Sequence, residues 1–466
     1  MNKEEFIEIL KQKEYEFYKE DEKIIICHKN DVYLGACKSL PSGVTFKNHG
    51  LVDLKSCTTL PFEISFENQG AVLLRKCSCI PKKMVFKNQG NVALESCVSL
   101  PDGVRFENQG DVNLKACSAL LDTTSFKNHG SIDLKDCVTL PKGFIFENLG
   151  SIYLDSCSFV PSNVQFKNSG DVDLENCTTL SSGVIFKNKG RVILGECTSI
   201  PKDIVFENQG YVDLENCTSL SDGIHFKNEG YVDLRSCSSL PKKVKFENKG
   251  TVLLHKCTTL SSEITFKNES HIFLWSCTSM AKELKFQNKG DIELQNCKTL
   301  PEGISFENKG DINLNLCSCV PSQTQFKNQG DIDLNSCSPL PEGIEFQNKG
   351  DIYLDCCTSL PKKIKFENQG NIFLEGCSKI YYQEKELNLK WVDDHSMIID
   401  SSISMGDFNI YKARYLKGGE LENLPRCFII QKGNDFVEGK TIEEAISKFP
   451  QNGLDSLVKK IKEKFI

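Results

Sequence analysis

The chain has 466 residues, with 56 basic and 63 acidic side chains and a formal net charge of -7. That mildly acidic, mixed surface lacks the basic excess that direct nucleic-acid binding needs. No stretch approaches the roughly 18 uncharged apolar residues of a membrane span, and the start, MNKEEFIEIL, lacks a basic n-region, a continuous apolar core and a small-residue cleavage site. A cytoplasmic protein is expected, although delivery by a specialised secretion machine would leave no mark of this kind. No cofactor or metal motif is evident.

In chain order, residues 1–30 read as a cap. Asn2 and Glu5 form a capping-box pattern. They open a helix expected to bury Phe6, Ile9, Leu10 and Phe17. Ile24-Ile25-Ile26-Cys27 then starts a first, partial copy of a twenty-residue unit.

From 31 to 380 the chain repeats with a step of twenty: V/I-x-L-x-x-C-x-x-L-P-x-x-h-x-F-x-N-x-G-x, where h is apolar. Leu34 to Leu374 is leucine in every copy, Phe46 to Phe366 phenylalanine, Asn48 to Asn368 asparagine, and the series Gly50 to Gly370 fails only at Ser270. Without insertions or deletions, each copy must be one coil of a stacked solenoid, since it can bury its apolar face only against its neighbours. Two short alternating runs, such as Val44-Thr45-Phe46 and Val52-Asp53-Leu54, predict two strands per coil. Gly50 is placed where a side chain would obstruct a turn, and Leu40-Pro41 at another corner. Stacked asparagine amides are expected to satisfy one another and the turn backbone.

The residue between Phe and Asn alternates in sign, Lys47, Glu67, Lys87, Glu107, and so on to a stutter at Lys187. Rungs about 4.8 Å apart make this a neighbour rule for stacking. Of the 23 cysteines, those from Cys37 to Cys377 fall on the same step. One thiol per coil, without a Cys-x-x-Cys cluster, suits a small interior filler better than a metal site or a disulfide. Cys79, Cys319 and Cys356 lie outside the series.

The V-x-L-x-x-C run followed by L-P resembles a leucine-rich repeat, and the short unit with its proline resembles the class found in bacterial effector proteins. A likeness to bacterial and phage-encoded proteins with L-P-x-G-x-x-F-x-N-x-G repeats is also present. The resemblance covers about residues 31–380 and implies a binding scaffold, with a bacterial effector or a phage-encoded inhibitor of a host system as the setting. Two departures matter. The leucine after Cys comes one residue late, and h-x-F-x-N-x-G replaces a variable convex segment with a second strand, leaving horseshoe and flatter β-solenoid both open. The fold expected is mainly β: a parallel solenoid of about 18 leucine-rich-repeat-like coils, with an N-terminal helical cap and a small C-terminal α+β domain or cap at 381–466.

In that tail, Met397 to Ile403, Phe408 to Leu416 and Arg426 to Gln431 read as strands; Thr441 to Phe449 and Leu454 to Phe465 read as helices. Gly433 to Thr441, with Lys440, sits where a phosphate loop would, but has one residue too many between its glycines. Thr441 and Glu444 read instead as a helix cap. Cys427, His395 and Asp393 are the residue types of a thiol hydrolase, without a diagnostic local signature.

The position between V/I and Leu in the first strand obeys no neighbour rule and mixes Asp with aromatics. It is therefore the candidate recognition face, with a protein as the expected partner. The residues chosen are Tyr153, Asp173, Tyr211, Asp213, Tyr231, Asp233, His255, His271, Phe273, Trp275, Asp333, Tyr353 and Phe373. The bland alternative is that sheet surfaces favour aromatics anyway. Two other classes stay open: an acidic nucleic-acid mimic, for which Asp111, Asp171, Asp291, Asp311, Asp331 and Asp351 would extend a stripe, and an enzyme in the tail.

Overall fold

The computed structural model describes residues 1–466 except 56, 78–79, 98–99, 118, 138–139, 178, 262, 358–359, 362, 378–379, 383–384, 393–394, 417–423, 450–460, 462 and 464–466, and the side chains of 380–382 and 385. The protein is mainly β, a parallel β-solenoid of about 17 turns of roughly twenty residues. The described residues fall into two compact units, Met1–Leu253 and Leu254–Ile466.

In the first unit the helix runs Lys3–Gln12 with the Asn2/Glu5 capping box formed, and it buries Phe6 and Leu10. Phe17 does not belong to it. The chain leaves the helix at Lys13, turns through a left-handed Glu14 (φ 56°), and places Phe17 in a strand, Phe17–Glu20, antiparallel to Lys23–Ile26. Ile24 and Ile26 then pair with Val44 and Phe46, so they are the first rung, as their match to h-x-F requires. The Tyr15 hydroxyl accepts the otherwise free N–H of Tyr33 at 2.8 Å, closing the edge of the first V-x-L strand.

Every later coil repeats two parallel strands in strict register. Phe66 pairs with Phe86 and Val72 with Val92. A third, shorter side is marked by single bridges such as Ile200 to Leu220. The phenylalanines stack with ring centroids 5.1–5.9 Å apart from Phe46 to Phe246, and the valine and leucine ladders beside them are buried.

Glycine at the Gly50 position, replaced only by Ser270, sits close against the coil beneath. A Cβ on Gly210 would lie 2.2 Å from the Gly190 carbonyl oxygen and 2.4 Å from its carbon, well inside contact distance. The asparagine amides bond these glycines and not one another: Asn108 Nδ2 donates to the Gly110 carbonyl at 2.6 Å, and Asn148 Nδ2 reaches back to Gly130 at 2.8 Å. The expected amide-to-amide ladder is therefore replaced by an amide-to-backbone one. The reason is that a glycine carbonyl lies within reach on its own coil and on the coil before.

The described cysteines are thiols without disulfide bonds, and the ladder is buried apart from the half-buried Cys377 at its end. Thiols of the ladder also have a specific acceptor, as where Cys97 Sγ lies 3.4 Å from the Leu74 carbonyl, which also receives the Cys77 N–H at 3.1 Å. Burial pushes the Cys57 and Cys97 thiols up to about 11 and those of Cys77 and Cys117 to about 12, so they stay protonated donors. Outside, the sign alternation forms ion pairs at Lys47–Glu67 (3.4 Å), Lys87–Glu107 (3.6 Å) and Lys187–Glu207 (2.7 Å). Such exposed pairs contribute about 0–1 kcal/mol each.

The second unit stacks the same coil, with phenylalanine centroids 4.9–5.4 Å apart from Phe266 to Phe366. Its phenylalanine strands are longer, as in Lys285–Asn288 against Ser65–Phe66 in the first unit. After the coils comes a five-stranded antiparallel sheet, Leu389–Val392, His395–Met405, Phe408–Tyr415, Arg426–Lys432 and Asp435–Gly439, followed by the helix Ile442–Lys448. The three strands expected from sequence are there, with two that were not foreseen. Sheet residues cover the last rung: Leu416 accepts the Ile372 N–H at 2.9 Å, and Ser396 Oγ the Leu374 N–H at 2.8 Å. Ile442, Ala445 and Phe449 pack on one face of the sheet with Ile410 and Ile430. Most of the second expected helix, Leu454 to Phe465, lies outside the described residues.

Candidate functional site

The V-x-L strand presents three outward positions per coil: one before V, one between V and L, and one after L. In the first unit Tyr211 and Tyr231 stack at 4.4 Å with rings nearly parallel. Arg191 holds this pair, its guanidinium donating to the Tyr211 hydroxyl at 3.0 Å and to Asp171 at 2.7 Å. Tyr231 is 39% exposed. Tyr153 lies further along the same face with Lys135 Nζ 5.5 Å from its ring centroid.

The aspartates chosen with them do something else. Asp173 and Asp213 are half-buried, and each Oδ1 accepts the N–H two residues on, from Glu175 at 3.1 Å and Glu215 at 3.0 Å. Asp333 makes the same turn with Asn335 at 2.8 Å. Asp233 is buried and cannot be an outward recognition charge. Arg235 donates to it at 2.7 Å and bridges to Glu215 at 2.9 Å, replacing lost hydration with a paired cation. Asp213, Glu215 and Asp233 bring three carboxylate oxygens within 4.8 Å of one another, but the guanidinium already supplies positive charge to two of them.

In the second unit His255 stacks on Trp275 at 5.5 Å, Phe273 meets Trp275 edge-on at 5.5 Å, and His271 lies 6.1 Å from Phe273. Trp275 is 40% exposed. Beside it burial pushes the Glu293 carboxyl up, opposed by hydrogen bonds from Gln295 and Trp275. At the far end Tyr353 stacks on Phe373 at 4.8 Å, and Phe373 meets Trp391 at a tilt, 5.8 Å between centroids. The chosen residues therefore form separate clusters, Tyr211 with Tyr231 in one unit and His255, His271, Phe273 and Trp275 in the other.

The residues before V also serve the backbone. Asp291, Asp311 and Asp331 each accept through Oδ1 the N–H of the equivalent residue one coil on, at 2.7–2.8 Å. Asp351 does the same for Asn371 at 2.6 Å, Asp111 for Ser131 at 2.7 Å, and Asp171 for Arg191 at 2.7 Å. Asn91 takes the same part for Asp111 at 2.7 Å, and Ser151 for Asp171 at 3.1 Å. Sequence reasoning had these only as an acidic stripe. The signal was present: the substitutes at this position include short side chains with an acceptor atom.

Two surface concavities flank these features. In the first unit a depression of about 340 Å³ opens over Ala93, with Leu73, Tyr153 and the Arg75–Glu95 pair (3.0 Å) around it. In the second, a groove of about 710 Å³ is lined by polar side chains on and just past the phenylalanine strands, including Gln287, Lys289, Gln329 and Lys349.

Cys427 is fully buried against Met397, with its thiol pushed up to about 12 by burial. His395 meets the Tyr415 ring, and Asp393 lies outside the described residues. Thr441 caps the helix through the Glu444 N–H, while the Glu444 carboxylate accepts the Lys440 N–H at 2.9 Å. Lys440 thus belongs to a helix start with a carboxylate in place. No family model, curated protein or solved structure matches the chain. Among the described residues no helix is long and apolar enough to cross a membrane.

Proposed function

We propose that this protein is a non-enzymatic recognition scaffold that binds another protein through the aromatic clusters of its V-x-L face. The observation that carries the reading is Trp275, 40% exposed and braced by His255 and Phe273. A large side chain held rigid at the surface loses little entropy on docking and supplies much of an interface's affinity. Tyr231, stacked on Tyr211, has the same character in the first unit. The aspartates of this face set its turns, so partner choice rests on the aromatics and on the carboxylates facing water. A bacterial effector or phage-encoded inhibitor of a host system is the setting that the repeat's resemblance suggests.

The second reading is an acidic mimic that occupies a nucleic-acid-binding partner, favoured by the row Asp291, Asp311, Asp331, Asp351. Catalysis in the tail has less support, because the one candidate nucleophile is sealed and protonated. The test is affinity capture with the whole protein beside two variants, Tyr211→Ala/Tyr231→Ala and Phe273→Ala/Trp275→Ala. Loss of a captured partner from at least one variant is expected; unchanged partners at equal yield from both would overturn the assignment.

A further inference from the structure

The outward positions of the V-x-L strands in the second unit differ in charge from the rest of the coil. From residue 255 to 375 they carry no lysine or arginine, yet they hold the ladder Asp291, Asp311, Asp331, Asp351, with Glu293 and Asp333 beside it. On the phenylalanine strands of the same coils and at their ends, signs are mixed and paired, as in Lys327–Glu307 (3.4 Å) and Lys289–Glu269 (2.7 Å). Neighbouring carboxylates in the ladder repel: Asp331 is pushed up by burial and by the charges of Asp311 and Asp351. The backbone bonds do not demand this charge, because Asn91 makes the same bond uncharged. A second, independent feature points outward to a ligand. The ladder begins beside the exposed Trp275, which the half-buried Phe273 meets edge-on, and an indole face attracts cations.

We infer that this face receives a protein segment with a lysine or arginine stripe along one side of an α-helix. The inference rests on the recognition reading above and names the partner's chemistry. Spacing favours a helix: its stripe advances about 5.4 Å per turn against about 4.8 Å per rung, so from Asp291 to Asp351 the mismatch accumulates to only about 2 Å, within the swing of a lysine side chain. An extended strand would repeat its same-face side chains about every 6.6 Å and fall out of step.

The test uses the full chain and two synthetic alanine-rich peptides of identical composition, one with lysines at every third or fourth position along one helical face, the other scrambled. Binding is followed by fluorescence anisotropy at low and physiological salt. The striped peptide should bind at least roughly tenfold tighter than the scrambled one, with steep salt dependence. Asp311→Asn/Asp331→Asn/Asp351→Asn, which keeps the Oδ1 acceptors and whose melting temperature checks the fold, should lose most of that binding. Lys309→Gln/Lys349→Gln, just past the ends of the phenylalanine strands Ser305–Asn308 and Glu345–Asn348, should lose none. Equal binding of the two peptides, an unaffected triple variant, or a ladder that holds calcium and excludes the peptide would each overturn the inference. If the triple variant binds normally while Phe273→Ala/Trp275→Ala loses its captured partner, the recognition reading stands and only the basic partner falls; if neither variant changes anything, both fall.

Discussion

The phenylalanine strand and the valine strand belong to the same coil, share one register and bury ladders of equal regularity, yet their outer surfaces are built on opposite rules. Outside the phenylalanine strand, successive rungs alternate in sign, as in Lys187–Glu207 at 2.7 Å. Outside the valine strand of the second unit, Asp follows Asp, and each carboxylate is tied by one oxygen to the next coil's backbone. The difference teaches that register alone does not dictate surface charge. Where a side chain meets only its neighbours, opposite signs win; where it also has a backbone N–H to satisfy, an acceptor wins even beside its like.

The largest disruption should come from the element that both faces need. Gly210→Ala forces a methyl group to 2.2 Å from the Gly190 carbonyl oxygen. The backbone must move, and a loss of about 3 kcal/mol or more is expected in denaturant unfolding of the whole chain. A loss below about 0.5 kcal/mol would show that the coils are not pinned at this corner. Next is Asn208→Leu, which removes the donor reaching Gly190 at 2.8 Å. The Gly190 carbonyl keeps the Asn188 amide at 3.0 Å, so the expected loss is that of one hydrogen bond, about 0.5–1.5 kcal/mol.

The thiol ladder should be silent in the native state. Brief alkylation followed by mass spectrometry should mark exposed Cys319 and Cys356 well before the buried Cys197 or Cys217, whose thiols burial pushes up. Modification of the buried set at the same rate would contradict the packing.

The smallest effect separates the two faces by sign. Glu207 is held below its ordinary range by Lys187, so its contribution is present above the unfolded carboxylate range and is lost as pH falls through its lowered value. Asp331 and Asp333 are pushed up, first by burial. The folded state therefore takes up their protons before the unfolded chain does, and a penalty present at neutral pH is relieved as pH falls through their raised values. Thermal melts on a descending pH series should show Asp331→Asn/Asp333→Asn gaining less on mild acidification than the parent. Glu207→Gln should remove part of the loss at lower pH. The same response from both variants would erase the distinction drawn between the faces.

Much of this was legible in the residues. Leu34, Phe46, Asn48 and Gly50, repeated at an unbroken step, leave one solution: coils stacked in register with those side chains inside. The sign flip at Lys47 and Glu67 reported its own neighbour. Three things were not legible. Phe17 fits a helical stripe as well as a strand, and only the left-handed Glu14 decides between them. The aspartates looked like recognition charges, because sequence does not show which backbone N–H groups a corner leaves unpaired. The burial of Asp233 depends on Arg235 folding back over it, a choice of rotamer that no spacing encodes.

The glycine corner has one consequence for how such a chain can vary. Because coil sits on coil with no room for even a methyl group between Gly190 and Gly210, a single inserted or deleted residue would throw every later contact out of phase. Loss or duplication of one whole unit would meet identical docking surfaces above and below. The molecule can therefore change length only in quanta of twenty residues, by copying what it already has.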